Sequence, residues 1–182
     1  KNMTTLGEGG AVTSDDAEFS EKVRGLKTFG YVYGAKLRVT QIGYNYRMTK
    51  PQAATGITQL AKIDRVIAAR LKNFCLMAEN LRGVEGITLP AGLDENHGCH
   101  LFVIRIDFQG LGTTRADFVK KLKDDWQVGT ALHYPAVWNW DAFENLDYDK
   151  SATPVTHEAC DRVLSLPLFP STTPEDVEYI GD

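Results

Sequence analysis

The sequence predicts a mixed α/β protein of two parts, the second of which is a small α+β unit. Three observations predict this class. A short strand and a helix are indicated near the start of the chain, an apolar stripe at steps of three and four then continues over roughly 30 residues, and strand and helix patterns alternate beyond it. At 182 residues, with 43% hydrophobic and 24% charged residues, the chain can bury a core of ordinary size.

The first part opens with a glycine-rich turn. Residues 11–13 follow this turn and are predicted to form a short strand, and Asp15 with Glu18 three residues later is the pattern of a helix N-terminus. The buried face of this helix is predicted to carry Phe19, Val23 and Leu26. The helix is expected to end near Gly30. Residues 31–48 show no helical period, so we predict a long loop, and long ordered loops are often functional.

A long helix is predicted next. Thr49 is a favourable N-cap, Pro51 suits the first turn, and Gln52 can reach back to the cap. The apolar stripe that follows consists of Ala53, Ile57, Leu60, Ile63, Ile67, Leu71, Phe74, Met77 and Leu81. Because a helix this long usually passes from one domain to another, we expect residues 1–70 to form one domain, including the start of the helix, and residues 71–182 to form the other.

The second part is predicted to be a small sheet covered by helices. Strands are indicated at residues 86–90 and 101–106, and residues 128–134 form a further extended segment. Thr114 caps one predicted helix, and a second helix is predicted over residues 153–164. The buried face of the first of these helices is predicted to carry Phe118, Leu122 and Trp126.

The composition excludes several classes of function. The net charge of −4 and the scattered basic residues leave no basic surface for nucleic acid. Three cysteines far apart in the sequence do not resemble a disulfide framework, and no apolar run approaches the roughly 20 residues of a membrane span, so a cytoplasmic location is the default expectation. His97, Cys99 and His100 are close in sequence, but adjacent strand residues face opposite sides, and no metal site is predicted.

The first residue is a candidate for covalent chemistry. Lys1 precedes a short polar stretch and the glycines Gly7, Gly9 and Gly10, a setting in which enzymes present the amine that holds pyridoxal phosphate. Only a primary amine can bond to the cofactor aldehyde, exchange with an amino donor and then move a proton between carbon centres. The alternative is an ordinary exposed lysine before a sharp turn. The chain also lacks an initiating methionine, so we expect a piece of a longer protein.

Four motifs occur in the order and approximate spacing of one enzyme family. They are residues 1–10 (KNMTTLGEGG), residues 42–48 with 52–54 (IGYNYRM and QAA), residues 133–135 (HYP) and residues 164–168 (LSLPL). With these motifs the chain resembles, over essentially all 182 residues, the DegT/DnrJ/EryC1/StrS family, whose members are mostly pyridoxal-phosphate-dependent aminotransferases of nucleotide-linked ketosugars.

This resemblance implies a fold type I enzyme with pyridoxal 5'-phosphate as its cofactor. The present chain would supply the C-terminal part of the large domain together with the small α+β domain. The resemblance also implies a homodimer whose active sites lie at the subunit interface.

The resemblance also assigns roles to individual residues. Lys1 matches the catalytic lysine that bonds covalently to the cofactor. Asn45 matches an asparagine that reaches the cofactor phosphate of the neighbouring subunit, although a loop asparagine is more often a turn former. Arg47 could bind the phosphates of a nucleotide sugar or hold its own loop through backbone carbonyls.

His133 and Tyr134 match a family segment near the sugar nucleotide. Their polar atoms suit sugar hydroxyls or phosphate, whereas the alternative is a histidine buried at a strand end. Family members commonly continue with another proline and a histidine, but residues 136–140 here are AVWNW. This departure affects the identity of the substrate and does not change the predicted class of reaction.

The implied reaction is a two-stage transamination. An amino acid, glutamate by family habit, gives up its amino group, and a keto group on a nucleotide-linked hexose receives it. Several cofactor contacts are expected before Lys1, so this piece alone is not expected to be a competent enzyme. Two alternatives remain: a sugar dehydratase, whose relatives carry histidine in place of Lys1, and a catalytically silent regulatory or binding subunit of the same fold.

Overall fold

The computed structural model describes residues 2–32, 37–90, 97–145 and 147–181, with the backbone alone at Lys150. The chain divides into two compact units, residues 1–63 and residues 64–182. The expected domain boundary, between residues 70 and 71, lies further along the same helix. The assignment of these units to a large and a small domain stays a prediction.

The first unit contains helices and a short hairpin. Its elements are α1 (Ala17–Leu26), β1 (Tyr31–Val32), β2 (Arg38–Val39) and α2 (Lys50–Leu60). Helix α1 begins after Asp16, whose Oδ1 accepts the N–H of Phe19 at 3.0 Å, so its cap is one residue later than predicted. Helix α2 begins as predicted, because Gln52 Oε1 accepts the N–H of Thr49 at 3.0 Å. Within the described residues, the predicted loop is interrupted by the antiparallel β1–β2 pair and by a bridge at Asn45.

The predicted long helix is wrong in one respect, because it is two helices. Helix α2 ends at Leu60, and α3 spans Ile63–Asn80. Between them, Lys62 donates its N–H to the carbonyl of Gln59 at 3.0 Å, a three-residue step that ends the four-residue hydrogen-bond pattern of α2. Ile57, on the predicted stripe, is 71% exposed. An apolar period identifies the apolar side of a helix but does not require the helix to be continuous.

The second unit is an antiparallel sheet with helices. Its elements after α3 are β3 (Ile87–Thr88), β4 (Phe102–Ile106), α4 (Arg115–Trp126), α5 (Pro154–Arg162), β5 (Val163–Leu166) and α6 (Pro174–Gly181). The strand order is β3–β4–β5, with Ile104 opposite Leu164. Helix α4 is capped as predicted, because Thr114 Oγ1 accepts the N–H of Asp117 at 3.1 Å. None of the helices in the described ranges combines the length and apolar character that crossing a bilayer requires.

The hydrophobic core lies on one face of this sheet. Alternate residues of β4 are buried, namely Phe102, Ile104 and Ile106, because successive side chains of a strand point to opposite faces. Phe74 of α3 packs edge-on against Phe102, with 4.6 Å between ring centroids. The remaining buried members of this core are Met77, Leu81, Cys99, Phe108, Leu164, Leu166, Leu168 and Val177. The second unit therefore has its own core, which positions strand β5 and the segments beside it.

Several other predicted elements differ in the structure. Residues 11–13 pair with no described strand, and Val12 is 65% exposed, because a strand needs a hydrogen-bonding partner that the described residues do not provide. The extended segment 128–134 forms a single bridge, between Ala131 and Ser165. Helix α5 ends at Arg162, before the predicted residue 164, because the next four residues pair with β4. Phe19 and Trp126 are exposed, contrary to prediction.

Candidate active site

The loop that carries Asn45 is held against the end of α1 by backbone hydrogen bonds. Tyr44 donates its N–H to the carbonyl of Leu26 at 2.7 Å, and the carbonyl of Tyr44 accepts the N–H of Phe29 at 2.9 Å. Asn45 itself forms a β-bridge with Thr28. The backbone at Asn45 is therefore fixed by α1 rather than by the loop sequence alone.

Gly43 allows this close approach of two backbone segments. A Cβ at Gly43 would lie within 3 Å of three backbone atoms of Phe29 and Gly30. Gly30 has φ +75°, a conformation that favours glycine, and a Cβ there would overlap the carbonyl of Gln41. The glycine of the IGYNYRM motif is thus required by packing, and it places the next residues at a defined position.

Asn45 and Arg47 are joined by a hydrogen bond. Arg47 donates Nε–H to Asn45 Oδ1 at 2.9 Å, and its guanidinium carbon lies 4.8 Å from the ring centroid of Phe29. Since Arg47 can only donate, the amide atom that faces it is the oxygen of Asn45. The Asn45 Nδ2 group has no partner among the described residues, so both of its N–H groups can donate to an anion.

Tyr44 and Tyr46 lie on the other face of this extended segment. Their rings stack with 5.1 Å between centroids, and both are exposed. Together with residues 10–14, which follow the glycine-rich turn, they line a cleft of about 1050 Å³. Successive residues of an extended chain point in opposite directions. Residues 10–14 therefore share a cleft with the two tyrosines, whereas Asn45 does not line it.

His133 is held by a buried serine in the second unit. Its Nδ1 lies 2.9 Å from Ser165 Oγ, and Ser165 on β5 is only 3% exposed. The Tyr134 ring contacts the His133 ring edge-on, with centroids 5.2 Å apart, and Tyr134 is exposed. His133 Nε2 has no partner among the described residues, so one ring nitrogen anchors the histidine and the other can meet a ligand.

The departure from the family pattern at residues 136–140 forms an aromatic cluster. Trp138 stacks on Tyr148 with 4.8 Å between centroids, and its indole also contacts the ring of His157 at 5.1 Å. Trp140 is exposed and stacks with Phe143. The AVWNW sequence is therefore anchored by Trp138, while Trp140 faces solvent close in sequence to Tyr134.

The His97–Cys99 pair forms a local turn contact. His97 Nδ1 accepts the N–H of Cys99 at 3.1 Å and lies 3.2 Å from its Sγ. Cys99 is fully buried, and burial raises the pKa of its thiol, which favours the protonated form. In residues 2–32, 37–90, 97–145 and 147–181, no three histidine, cysteine or acidic side chains are grouped as metal ligands would be.

The structure brings together some of the predicted site residues. Asn45 and Arg47 are in contact, and His133 contacts Tyr134; the two pairs belong to different units, whereas Lys1 lies outside the described residues. Phe29 and Ser165 support these side chains and were not predicted. Ser165 could have been found from the sequence, because a serine between two leucines is a polar residue at a buried strand position.

Comparisons with known proteins agree with this architecture. The sequence profile of the DegT/DnrJ/EryC1/StrS aminotransferase family matches residues 1–182. The spore coat polysaccharide biosynthesis protein SpsC of Bacillus subtilis is 31% identical over 192 residues, which cover 99% of this chain and 49% of SpsC. The chain thus spans about half the length of the curated relatives it matches.

Two solved structures match the whole chain. DesI, determined in the presence of its TDP-sugar product, has a TM-score of 0.84 at 26% identity and is covered to 45%. The putative sugar aminotransferase Spr1654 of Streptococcus pneumoniae, in its PMP-form, has a TM-score of 0.82 at 21% identity and is covered to 47%. The match to Spr1654 shows the fold alone.

The architecture and these matches show the fold of the fold type I enzymes that depend on pyridoxal phosphate, as the sequence predicts. The chain belongs to the DegT/DnrJ/EryC1/StrS aminotransferase family. Pyridoxal phosphate is the cofactor that membership of this family indicates. Among the described residues, the Asn45 amide is a candidate donor to its phosphate group, because it has two N–H groups without a described partner on an exposed loop.

Proposed function

We propose that the protein is an aminotransferase that moves an amino group from an amino acid, glutamate by preference, to a nucleotide-linked ketosugar in the cytoplasm. The observation that carries the proposal is the family match over residues 1–182, which begins on the lysine of the KNMTTLGEGG motif. It is supported by DesI, which was solved in the presence of its TDP-sugar product and is 26% identical to this chain.

Lys1 is proposed to hold the cofactor and to move the proton. When bound, pyridoxal phosphate supplies an aldehyde that takes up the amino group and a ring that spreads negative charge. The Nζ of Lys1 takes a proton from the α-carbon of the donor, and in the second stage it returns a proton to the sugar carbon. Lys1 must be deprotonated to do this, and burial beside the cofactor favours the neutral amine.

Asn45 is proposed to bind the cofactor phosphate of a second subunit. Its Oδ1 is occupied by Arg47, which directs Nδ2 away from Arg47 toward a ligand. Tyr44 and Tyr46 face the cleft beside residues 10–14, and Asn45, between them, is not part of that lining. Because Asn45 lies outside this lining, its amide is free for a phosphate brought by a second subunit, as in a homodimer with shared active sites.

The remaining predicted residues are proposed to bind the sugar nucleotide. His133 Nε2 and the exposed Tyr134 hydroxyl can hydrogen-bond to sugar hydroxyls or phosphate while Ser165 holds the imidazole in place. Arg47 uses Nε for Asn45, and the other nitrogens of its guanidinium can contact a phosphate. The large domain is proposed to end near residue 70, with residues 71–182 as the small domain, and residues outside this chain are needed for a competent site.

The substrate class is tested by an amination assay with the full-length protein. A panel of nucleotide-linked ketosugars is incubated with glutamate and pyridoxal phosphate, and amino sugars are detected by mass spectrometry. We expect one member of the panel to gain an amino group while glutamate becomes 2-oxoglutarate. Loss of water from the sugar without glutamate consumption would indicate a dehydratase. If no member reacts although the cofactor is bound, the silent-subunit alternative would replace the proposal.

Replacing Asn45 with alanine is expected to weaken cofactor binding about 10- to 100-fold, because a hydrogen bond to a charged phosphate is lost. The dissociation constant is measured by titrating the apo protein with pyridoxal phosphate and following absorbance. Thr40→Ala serves as the control, because Thr40 is an exposed residue of the loop between β2 and Gly43.

Mixing the Lys1→Ala and Asn45→Ala proteins tests whether the sites are shared. If Asn45 acts on the neighbouring subunit, each mixed dimer contains one site with both changes and one intact site. At a pyridoxal phosphate concentration that loads the wild type but leaves Asn45→Ala largely empty, random re-pairing at equal amounts should then give about a quarter of the wild-type activity, since half of the dimers are mixed and half of their sites are intact. No recovery in verified mixed dimers would place Asn45 in the site of its own chain.

A further inference from the structure

The second face of the β3–β4–β5 sheet carries a small polar cleft. On β4, Ile104 and Ile106 point into the core, and Arg105 between them is exposed on the opposite face. The cleft has a volume of about 320 Å³. Its charged lining residues are Arg105, Asp107, Glu158 and Arg162. It lies entirely within the second unit and contains none of the residues assigned to the transamination site.

One arginine of this cleft is engaged and the other is not. Arg162 lies 3.3 Å from Glu158 Oε1 and 3.8 Å from Asp107 Oδ1, so it sits between the two carboxylates. The guanidinium of Arg105 makes no hydrogen bond or ion pair with any described residue. The second oxygens, Asp107 Oδ2 and Glu158 Oε2, also accept no hydrogen bond from the part of the chain that the structure describes. The cleft therefore offers a free guanidinium and two free carboxylate oxygens.

The balance of charge indicates the kind of ligand. Two guanidinium groups and two carboxylates give the lining a net charge of zero. A phosphate would be attracted by Arg105 and repelled by Asp107 and Glu158. A simple amine would be attracted by the two carboxylates and repelled by Arg105. A ligand with separated positive and negative ends satisfies both kinds of group without leaving a net charge in the cleft.

The size of the cleft narrows the choice further. Its 320 Å³ is near the lower end of the range for small-molecule pockets, which run from about 300 to 1,000 Å³. A nucleotide sugar is too large for it, whereas an amino acid fits. The exposed hydroxyl of Thr88, on the lining strand β3, adds a neutral hydrogen-bonding group.

We propose that this cleft is a second binding site, for a small zwitterionic α-amino acid. The ligand carboxylate pairs with Arg105, and its ammonium group donates to Asp107 Oδ2 and Glu158 Oε2, while Arg162 keeps the two carboxylates together. All four groups are partly exposed to solvent, so the expected dissociation constant is on the order of 1 mM. The site does not depend on the proposed transamination.

The test uses an amino acid that cannot be transaminated. 2-Aminoisobutyrate has no α-hydrogen, and isobutyrate and isopropylamine each carry only one of its two charged groups. Binding of the three compounds to the full-length protein is measured by ligand-observed saturation-transfer NMR. We expect 2-aminoisobutyrate to bind at least about tenfold more tightly than either single-charge compound, because only it pairs with both kinds of group.

Variants locate the site and distinguish it from the cofactor site. Arg105→Gln should weaken 2-aminoisobutyrate binding about tenfold, whereas Arg82→Gln, a change of an exposed arginine outside the cleft, should leave it unchanged. Glu158→Gln should weaken 2-aminoisobutyrate binding and strengthen isobutyrate binding, since it removes one repulsive carboxylate. Opposite effects of this substitution on the binding of the two compounds are expected only if the ligand lies between the arginine and the carboxylates.

Three outcomes would overturn the proposal. The first is equal binding of all three compounds. The second is that Arg105→Gln binds 2-aminoisobutyrate as tightly as the wild type. The third is that Arg47→Gln weakens the binding of 2-aminoisobutyrate while Arg105→Gln does not. The last result would place the amino acid in the transamination site instead. Failure of the proposed function would leave these measurements unaffected, because none of them uses a ketosugar or product formation.

Discussion

Replacing Lys1 with alanine is expected to lower the rate of amino transfer at least about 1,000-fold, because the group that moves the proton is removed. Lys1→Arg should be similarly inactive, since a guanidinium stays protonated at neutral pH and can neither bond to the aldehyde nor accept a proton. Single-turnover conversion of glutamate to 2-oxoglutarate measures the effect. Lys22→Ala, which changes an exposed lysine of α1, is the matched control and should retain full activity.

Added amines provide a second readout for Lys1. Methylamine can act as a free base in the space left by the shorter side chain, so it should partly restore proton transfer in Lys1→Ala but not in Lys1→Arg, where the space is filled. A merely structural function of Lys1 would not respond to an added amine. Wild-type activity in Lys1→Ala would rule out the proposed mechanism.

Replacing Arg70 with methionine is expected to destabilise the protein by about 3–5 kcal/mol. Arg70 is 5% exposed, and its Nη1 donates to the carbonyl of Leu168 at 2.9 Å and to those of Cys99 and His100 at 3.4 Å. Burial lowers the pKa of Arg70 below its usual value. Methionine matches the aliphatic stem but leaves these carbonyls without their donor.

Urea unfolding of the full-length protein measures this loss as a lower midpoint with an unchanged slope. Arg82→Met is the control, because Arg82 is exposed and its one ion pair with a described residue is to Glu79, near the end of α3. That change should alter stability by less than about 0.5 kcal/mol. An equal effect of both changes would show that the three carbonyls do not depend on Arg70.

Arg70 also shows what the sequence could not predict. Residues spaced three or four apart along α3 form its buried side, and this spacing allows either Arg70 or Leu71 to be buried. From the sequence alone, the apolar Leu71 is the residue expected to be buried. The structure buries Arg70 and leaves Leu71 partly exposed, because backbone carbonyls at Cys99 and Leu168, distant in sequence, need a donor there. The need for a hydrogen-bond donor at this position arises from tertiary packing, so no local pattern in the sequence indicates it.

The sequence correctly predicts features that depend on residues close together in the chain. The caps at Thr49 and Thr114 and the presence of strand β4 are confirmed, since each depends on residues within one turn or one strand. Strand β5 was missed because its pairing with β4 joins residues about 60 positions apart. In the candidate site, a sequence motif indicates the Asn45 loop, whereas the Phe29 ring beside Arg47 lies beyond the end of α1 and has no such motif.

The most direct test of the central claim is to reduce the cofactor-loaded, full-length protein with borohydride and to map the label by peptide mass spectrometry. If Lys1 holds pyridoxal phosphate, the peptide that begins at Lys1 gains the pyridoxyl mass, and Lys1→Ala shows no label at this position. Labelling of another lysine, or no labelled peptide from protein that has bound the cofactor, would contradict the assignment of Lys1 and the transamination that depends on it.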